Sequence, residues 1–335
     1  MAFPRESFKT MFETYRPSGA FSPLFILYLV LAIVLSAAIA FLYELLLYWI
    51  PLIYITFLIT IGFGFAVGVL GVLAINLGHV RNMAVGLMIG LLIGCGGIAA
   101  KYWFQYERFI SIVADNLIAE ENVDTEKRPA LRKALKEEIS FKDQIDDRVQ
   151  RGWNLGKRGA GLPLTGVFVY LIWLTEFGIV VVIALALARH AVRQPYSEAL
   201  QKWANEEQVV MTLPIDSMEM VDQIKNAGSI DDLLKIPVPK SDESNQFAVY
   251  TVNSVEGAEM EDAYLSVKLT TITFNDKGEE QRSDESLVDF AVLKSAERQQ
   301  LQENAELLSE AIFEYHKAKA AGTLGTEPTS NPSDA

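Results

Sequence analysis

The sequence predicts a polytopic α-helical membrane protein, with about four transmembrane helices followed by a soluble α+β domain. Three observations carry that prediction. Half of the 335 residues are hydrophobic and the mean hydropathy is +0.20, too apolar for an ordinary soluble chain of this length. The apolar residues crowd into 23–100 and 162–188 and leave the rest polar. Beyond residue 195 the pattern changes to short alternating runs, with 27 acidic against 11 basic residues. That stretch therefore carries about −16 of a chain whose formal net charge is −13.

Residues 1–22 are expected to form an N-terminal interfacial segment. Phe8, Phe12 and Tyr15 recur at i, i+4 and i+7, with Arg5, Lys9 and Glu13 off that stripe. This reads as a short amphipathic helix over 4–15 lying at a membrane surface. The charges of this segment and the length of the run after it do not suit a cleaved signal peptide, so it is read as retained.

Residues 23–190 form the expected transmembrane domain. From Pro23 to Ile75 the chain is almost continuously apolar. A single helix of that length would rise about 80 Å, against a hydrocarbon core of about 30 Å, so it must fold back. Tyr43-Glu44 through Tyr48-Trp49-Ile50-Pro51 is the polar break. The first span is placed at 23–43 and the second at 52–75, with Glu44 at the aqueous hairpin. The turn Asn76–Asn82 leads to a third span at 83–102, closed by Tyr102, Trp103 and Tyr106. The fourth runs from Leu162 to Ala188.

Between the third and fourth spans, 103–161 is a helical extramembrane loop in which Leu131, Leu135 and Ile139 recur among Lys and Glu. Gly64 and Gly68, and Gly86, Gly90 and Gly94, form two small-residue rows, read as the faces on which spans two and three pair, or as a homodimer face. The Lys and Arg placement favours cytoplasmic N- and C-termini in a cell membrane.

Residues 195–320 are the acidic soluble domain. Helices are expected at 196–206 and 217–227, flanking a short apolar run at 209–213, and strands at 247–255, 264–274 and 286–293. Asn275-Asp276-Lys277-Gly278 is a hairpin turn. A last helix at 295–320 carries Leu301, Ala305, Leu308, Ile312 and Tyr315, a stripe suited to packing on the sheet. Residues 321–335 read as a disordered tail.

Chemistry-bearing candidates are few. Glu176 stands inside the fourth span, where an ionised carboxylate costs several kcal/mol unless paired. No basic residue is expected to reach it from the other spans, so it should be protonated or hydrogen-bonded to Thr56, Thr60, Tyr54 or Tyr28. Its functional reading is a proton relay or cation site; its structural reading is polar glue between helices.

His79 and Arg81 fit a turn, and the cluster Glu256–Asp262 lacks calcium-loop spacing. Cys95 is the single cysteine, so neither an internal disulfide nor a thiolate metal centre is open to this chain. There is no P-loop, HExxH or GxSxG. No cofactor or metal is expected, and an enzyme is disfavoured. The acidic balance disfavours nucleic acid. The expected partners are the lipid bilayer and a protein, or a second copy of the chain.

Tyr15-Arg16-Pro17-Ser18-Gly19, Ile50-Pro51-Leu52-Ile53-Tyr54, Arg81-Asn82, Trp173 with Glu176, and Pro195-Tyr196-Ser197-Glu198 with Trp203 resemble an uncharacterised group of bacterial four-span membrane proteins. The resemblance covers the membrane half and implies no activity. Some members carry a Cys-x-x-Cys pair after the fourth span; Ser197 and Leu200 stand there in this chain, so no zinc or redox role carries over. The functional expectation is a scaffold, signalling or complex-subunit protein that presents its acidic domain to a partner. The alternative is a small transporter or proton-coupled channel that uses Glu176.

Overall fold

Long uninterrupted apolar runs satisfy their backbone internally as helices, and four such helices organise the first half of the chain. The computed structural model describes residues 12–50, 53–121, 125–155, 162–236, 244–257 and 263–320. They divide into two compact units, 17–193 and a second unit built from both chain ends, 1–16 with 194–335.

In the first unit, α1 (Phe25–Trp49), α2 (Ile53–Leu77), α3 (Met83–Glu121) and α6 (Val167–Arg193) are the long helices. All four are long and apolar enough to cross a membrane. Two short helices, α4 (Arg128–Glu138) and α5 (Phe141–Arg151), lie between α3 and α6, with a small hairpin of β1 (Trp153–Leu155) and β2 (Leu162–Leu164). Ser140 starts α5 with a capping box: its hydroxyl accepts from the Asp143 N–H, and the Asp143 carboxylate accepts from the Ser140 N–H. Gly152 ends α5 at φ 65°, a left-handed conformation, and a side chain there would meet the Leu164 carbonyl.

Three boundaries differ from expectation for identifiable reasons. α1 does not stop at residue 43 but runs to Trp49, so Glu44 is inside a helix and buried at 6 % exposure rather than at a wet hairpin. α3 continues well past Tyr102 because its extension buries Tyr106, Ile110 and Ala114 against Leu135 of α4. The Leu131–Leu135–Ile139 stripe is thus used on α3. α6 begins five residues later than expected because Leu162–Leu164 pairs with Trp153–Leu155.

The glycine rows pack differently too. A methyl built on Gly64 would lie 3.3 Å from Val180 Cα, and on Gly68 3.3 Å from Ala184 Cα. On Gly90 it would lie 2.8 Å from Ala188 Cβ and 3.0 Å from the Ala184 carbonyl, and on Gly94 3.4 Å from Ala184 Cβ. Gly86 sits against Val192. Both rows therefore face α6, not each other. Ala184 and Ala188 are fully buried and let two backbones approach the same helix from two sides.

In the second unit, β5 (Glu206–Pro214), β6 (Gln246–Ser254), β7 (Ala263–Phe274) and β8 (Glu280–Leu293) form an antiparallel meander in that order. The turn at Gly278, φ 75°, joins the last two strands. One face is covered by α7 (Met218–Lys225), α8 (Ile230–Leu234) and α9 (Ser295–Ala320), whose Ile224, Leu233 and Leu301 share a core with Tyr250, Leu265 and Leu293.

The helix expected over 196–206 is replaced by a second small hairpin, β3 (Tyr196–Ser197) with β4 (Lys202–Trp203), in which Tyr196 and Trp203 pack edge to face. Of the expected N-terminal amphipathic helix, residues 12–15 are extended instead. Thr14 bridges Ala291, and Tyr15 and Val292 donate backbone hydrogen bonds to Phe290 and Glu13 carbonyls. An unsatisfied edge strand outcompetes a marginal helix for these few residues. The remainder of that segment, the cluster Glu256–Asp262 beyond residue 257, and the tail 321–335 lie outside the described residues, as do the side chains of Leu308, Ile312 and Tyr315.

Candidate functional site

Four helices bring polar groups to one level of the bundle. Tyr43, Thr60, Lys101 and Glu176 each lie 17 or 18 residues from Phe25, Leu77, Met83 and Arg193 respectively, the helix ends on the other side. At about 1.5 Å per residue this is about 26 Å along each axis, so the four meet in one layer. Lys101 Nζ donates to Glu176 Oε2 at 3.1 Å, with the two side chains 4 % and 11 % exposed. Tyr43 donates to the other carboxylate oxygen, Oε1, at 2.8 Å. The Thr60 hydroxyl stands 2.8 Å from that of Tyr43 and 2.9 Å from the Thr56 carbonyl. The two hydroxyls own one proton each, so with Tyr43 donating to Glu176, Thr60 has two acceptors in reach, the Tyr43 oxygen and the Thr56 carbonyl.

Glu176 is therefore not stranded. The expectation that no cation could reach it is corrected by Lys101, and the carboxylate has an ion-pair partner and a hydroxyl donor. Burying two opposite charges together, each hydrogen-bonded, is the way a bundle tolerates either of them. Of the side chains proposed as its partners, Thr60 enters the network through Tyr43, and Thr56 contributes its carbonyl. Tyr28 packs with the apolar core of the bundle, and the Tyr54 side chain lies outside the described residues.

A second charged layer lies beside the first. Arg108 Nη1 donates to Glu44 Oε1 and to the Glu44 carbonyl, both at 3.2 Å, and its guanidinium stacks over Tyr48 at 4.8 Å. Next to it, α5 presents Gln144, Asp147, Arg148 and Arg151, spaced i, i+3, i+4 and i+7 on one face. Arg151 pairs with Asp147. Burial pulls the Arg148 guanidinium below its ordinary value, against the opposing pull of Glu44 and Asp147.

These groups, with Lys101 and Glu176, line one cavity of about 600 Å³. Its apolar wall includes Leu47, Phe57, Val113, Ile172 and Trp173. The size falls within that of small-molecule sites, about 300–1,000 Å³. Away from the cavity, the half of the bundle holding Gly86, Gly90 and Ala188 is packed backbone to backbone. Gln144 is buried at 5 % exposure, and its side-chain oxygen has no hydrogen-bond partner.

No family model, no curated protein and no solved structure matches this chain. The residues themselves must carry the reading.

Among the described residues no group of three His, Cys, Asp or Glu could hold a metal ion. Cys95 is a free, half-buried thiol. Sequence reasoning found Glu176 and Thr60 but missed Tyr43, Lys101, Arg108 and Gln144. Two signals were available: Lys101 and Glu176 stand almost equally far from Met83 and Arg193, and α5 carries its polar residues at helical spacing. Neither says which way a helix turns.

Proposed function

We propose that residues 17–193 form a membrane-embedded ligand-binding unit of a signalling or complex-subunit protein, whose acidic α+β domain serves a protein partner. One observation carries this reading: a 600 Å³ cavity lined by both charged and apolar side chains, with a buried ion pair among them. A transport path needs an exit through the bundle. Here the far half is closed by glycine-to-alanine contacts, with Ile75, Val80, Ala184 and Ala188 fully buried. A pocket that includes a neutralised pair, in a bundle whose far half is closely packed, suits binding better than conduction.

The setting proposed is a bacterial inner membrane crossed four times, with both termini cytoplasmic. The turn that carries Arg81 and the end of α6 with Arg189 and Arg193 are on the cytoplasmic side in that orientation. The resemblance to bacterial four-span proteins supports the same setting.

Reconstitution tests the function. The purified chain in proteoliposomes is expected to bind a small ligand in the cavity and to pass neither protons nor solute. Pull-down from detergent extract is expected to bring a reproducible protein partner with 195–320. Proton flux that is abolished by Glu176→Gln in a well-folded variant would overturn the binding reading. It would favour proton-coupled transport, for which the Thr60–Tyr43–Glu176 hydroxyl chain is the supporting observation.

A further inference from the structure

The cavity of the bundle is lined by seven charged side chains, yet none of them stands without a partner. Lys101 is paired with Glu176, Arg108 with Glu44, and Arg151 with Asp147. Arg148, the seventh, feels both Glu44 and Asp147 and has a partner of its own. A charged ligand would enter beside one member of a pair and against the other, after giving up its own hydration. An uncharged ligand meets neither penalty.

Neutral hydrogen-bonding groups are the ones left unspent. Gln105 and Asn116 line the cavity from α3, and their amides make no hydrogen bond to another described residue. Gln105 follows Lys101 by four residues and precedes Arg108 by three, so it shares their face of the helix. Its amide offers two N–H donors and a carbonyl acceptor between the two ion pairs. The group that satisfies it both accepts and donates.

The rim sets the rest of the occupant. Tyr48, near the end of α1, and Phe57, near the start of α2, line the cavity and are 62 % and 41 % exposed, so the wall runs out onto the apolar surface of the bundle. A water-soluble ligand gains nothing from such a rim; the chain of an amphiphile does. About 600 Å³ has room for about 20 water-sized groups at ~30 Å³ each, enough for a polar head and the first part of one chain.

We infer that the cavity binds an uncharged amphiphile, drawn from the bilayer, whose head carries hydroxyl groups. The head exchanges hydrogen bonds with the Gln105 amide and leaves the ion pairs intact. Its chain passes out beside Tyr48 and Phe57. The inference rests on the binding reading above and names the ligand class for it.

The test holds the chain constant and varies the head. The full-length protein is placed in phosphatidylcholine nanodiscs with equal low fractions of a monoacylglycerol, an alkyl sulfate and an alkyltrimethylammonium of one chain length. It is then extracted in mild detergent for native mass spectrometry. About one monoacylglycerol should be retained per protein, about tenfold or more in preference to either ion. Gln105→Leu should lower that retention by about threefold or more, the loss expected for a neutral hydrogen bond. Glu44→Gln leaves Arg108 without its carboxylate and should admit the alkyl sulfate.

Retention of either ion as well as the monoacylglycerol by the parent protein would overturn the assignment of an uncharged ligand. Continued exclusion of the sulfate by a well-folded Glu44→Gln variant would overturn the charge argument behind it. Unchanged monoacylglycerol retention in Gln105→Leu would overturn the placement of the head. Retention of none of the three would overturn this inference and leave the binding reading to stand on the proteoliposome assay, which is not restricted to amphiphiles.

Discussion

The Lys101–Glu176 pair makes a quantitative prediction. Glu176→Gln keeps size and a hydrogen-bond acceptor for Tyr43 but leaves the Lys101 ammonium, 4 % exposed, without its anion. Breaking a buried pair from one side costs about 3–5 kcal/mol, because the remaining charge has neither water nor a partner. Lys101→Met strands the carboxylate and should cost a similar amount. The double variant Lys101→Met with Glu176→Leu removes both charges and fills the volume. Tyr43 keeps the Thr60 hydroxyl at 2.8 Å, so no orphan is created. Its cost should be about 1 kcal/mol or less.

For a unit of this size each kcal/mol moves the midpoint by about 2–4 °C. The single variants should therefore melt about 6–20 °C below the parent, and the double within about 4 °C of it. Trp173, whose ring lies 5.8 Å from that of Tyr102 beside the pair, contributes to the tryptophan fluorescence that follows melts in detergent. Additive losses, with the double variant as unstable as the two singles together, would refute the coupling and with it the placement of the pair.

The remaining predictions concern packing, capping and the paired strand. Gly90→Ala should destabilise the bundle, since its methyl would sit 2.8 Å from Ala188 Cβ, whereas Gly62→Ala, with nothing within 4 Å, should be neutral or gain up to about 1 kcal/mol of helix propensity. Thermal melts of the two variants side by side decide this, and equal behaviour would contradict the α6 packing. Ser140→Ala removes the α5 cap and should cost about 1 kcal/mol, read as faster amide exchange in 141–145.

The Asp143 carboxyl is held below its ordinary value by hydrogen bonds from Ser140, so the capping contribution is fully present above about pH 4. It is lost as pH falls through the lowered value, and exchange at α5 should accelerate there and not at higher pH. Tyr15→Pro removes the N–H that donates to the Phe290 carbonyl at 2.8 Å. Amides of 290–292 should then lose protection; unchanged exchange would mean that the segment does not pair with β8 in solution.

Four helices of membrane-spanning length were legible in the sequence because lipid imposes a one-dimensional rule: a run of about 20 apolar residues must be helical wherever it occurs. Three of the four sheet strands of the second unit were legible for a similar local reason, alternation and turn chemistry, whereas β5 read only as a short apolar run. Glu176 stood out because a carboxylate breaks an apolar run. Its partner did not, since Lys101 precedes Tyr102 and Trp103 and reads as the end of a span until α3 is seen to continue to Glu121.

Which faces meet was decided only in three dimensions. The glycine rows looked complementary to each other, yet both lie on α6, because Ala184 and Ala188 are equally small and a row of glycines does not name its partner. Residues 12–15 carried a helical stripe and became a strand, because the free edge of β8 supplies hydrogen bonds that a short helix cannot match. Spacing along a chain encodes the period of an element. The rotation of that element about its axis, which buries Gln144 of α5 and sets Lys101 against Glu176, is fixed by all the other elements packing at once.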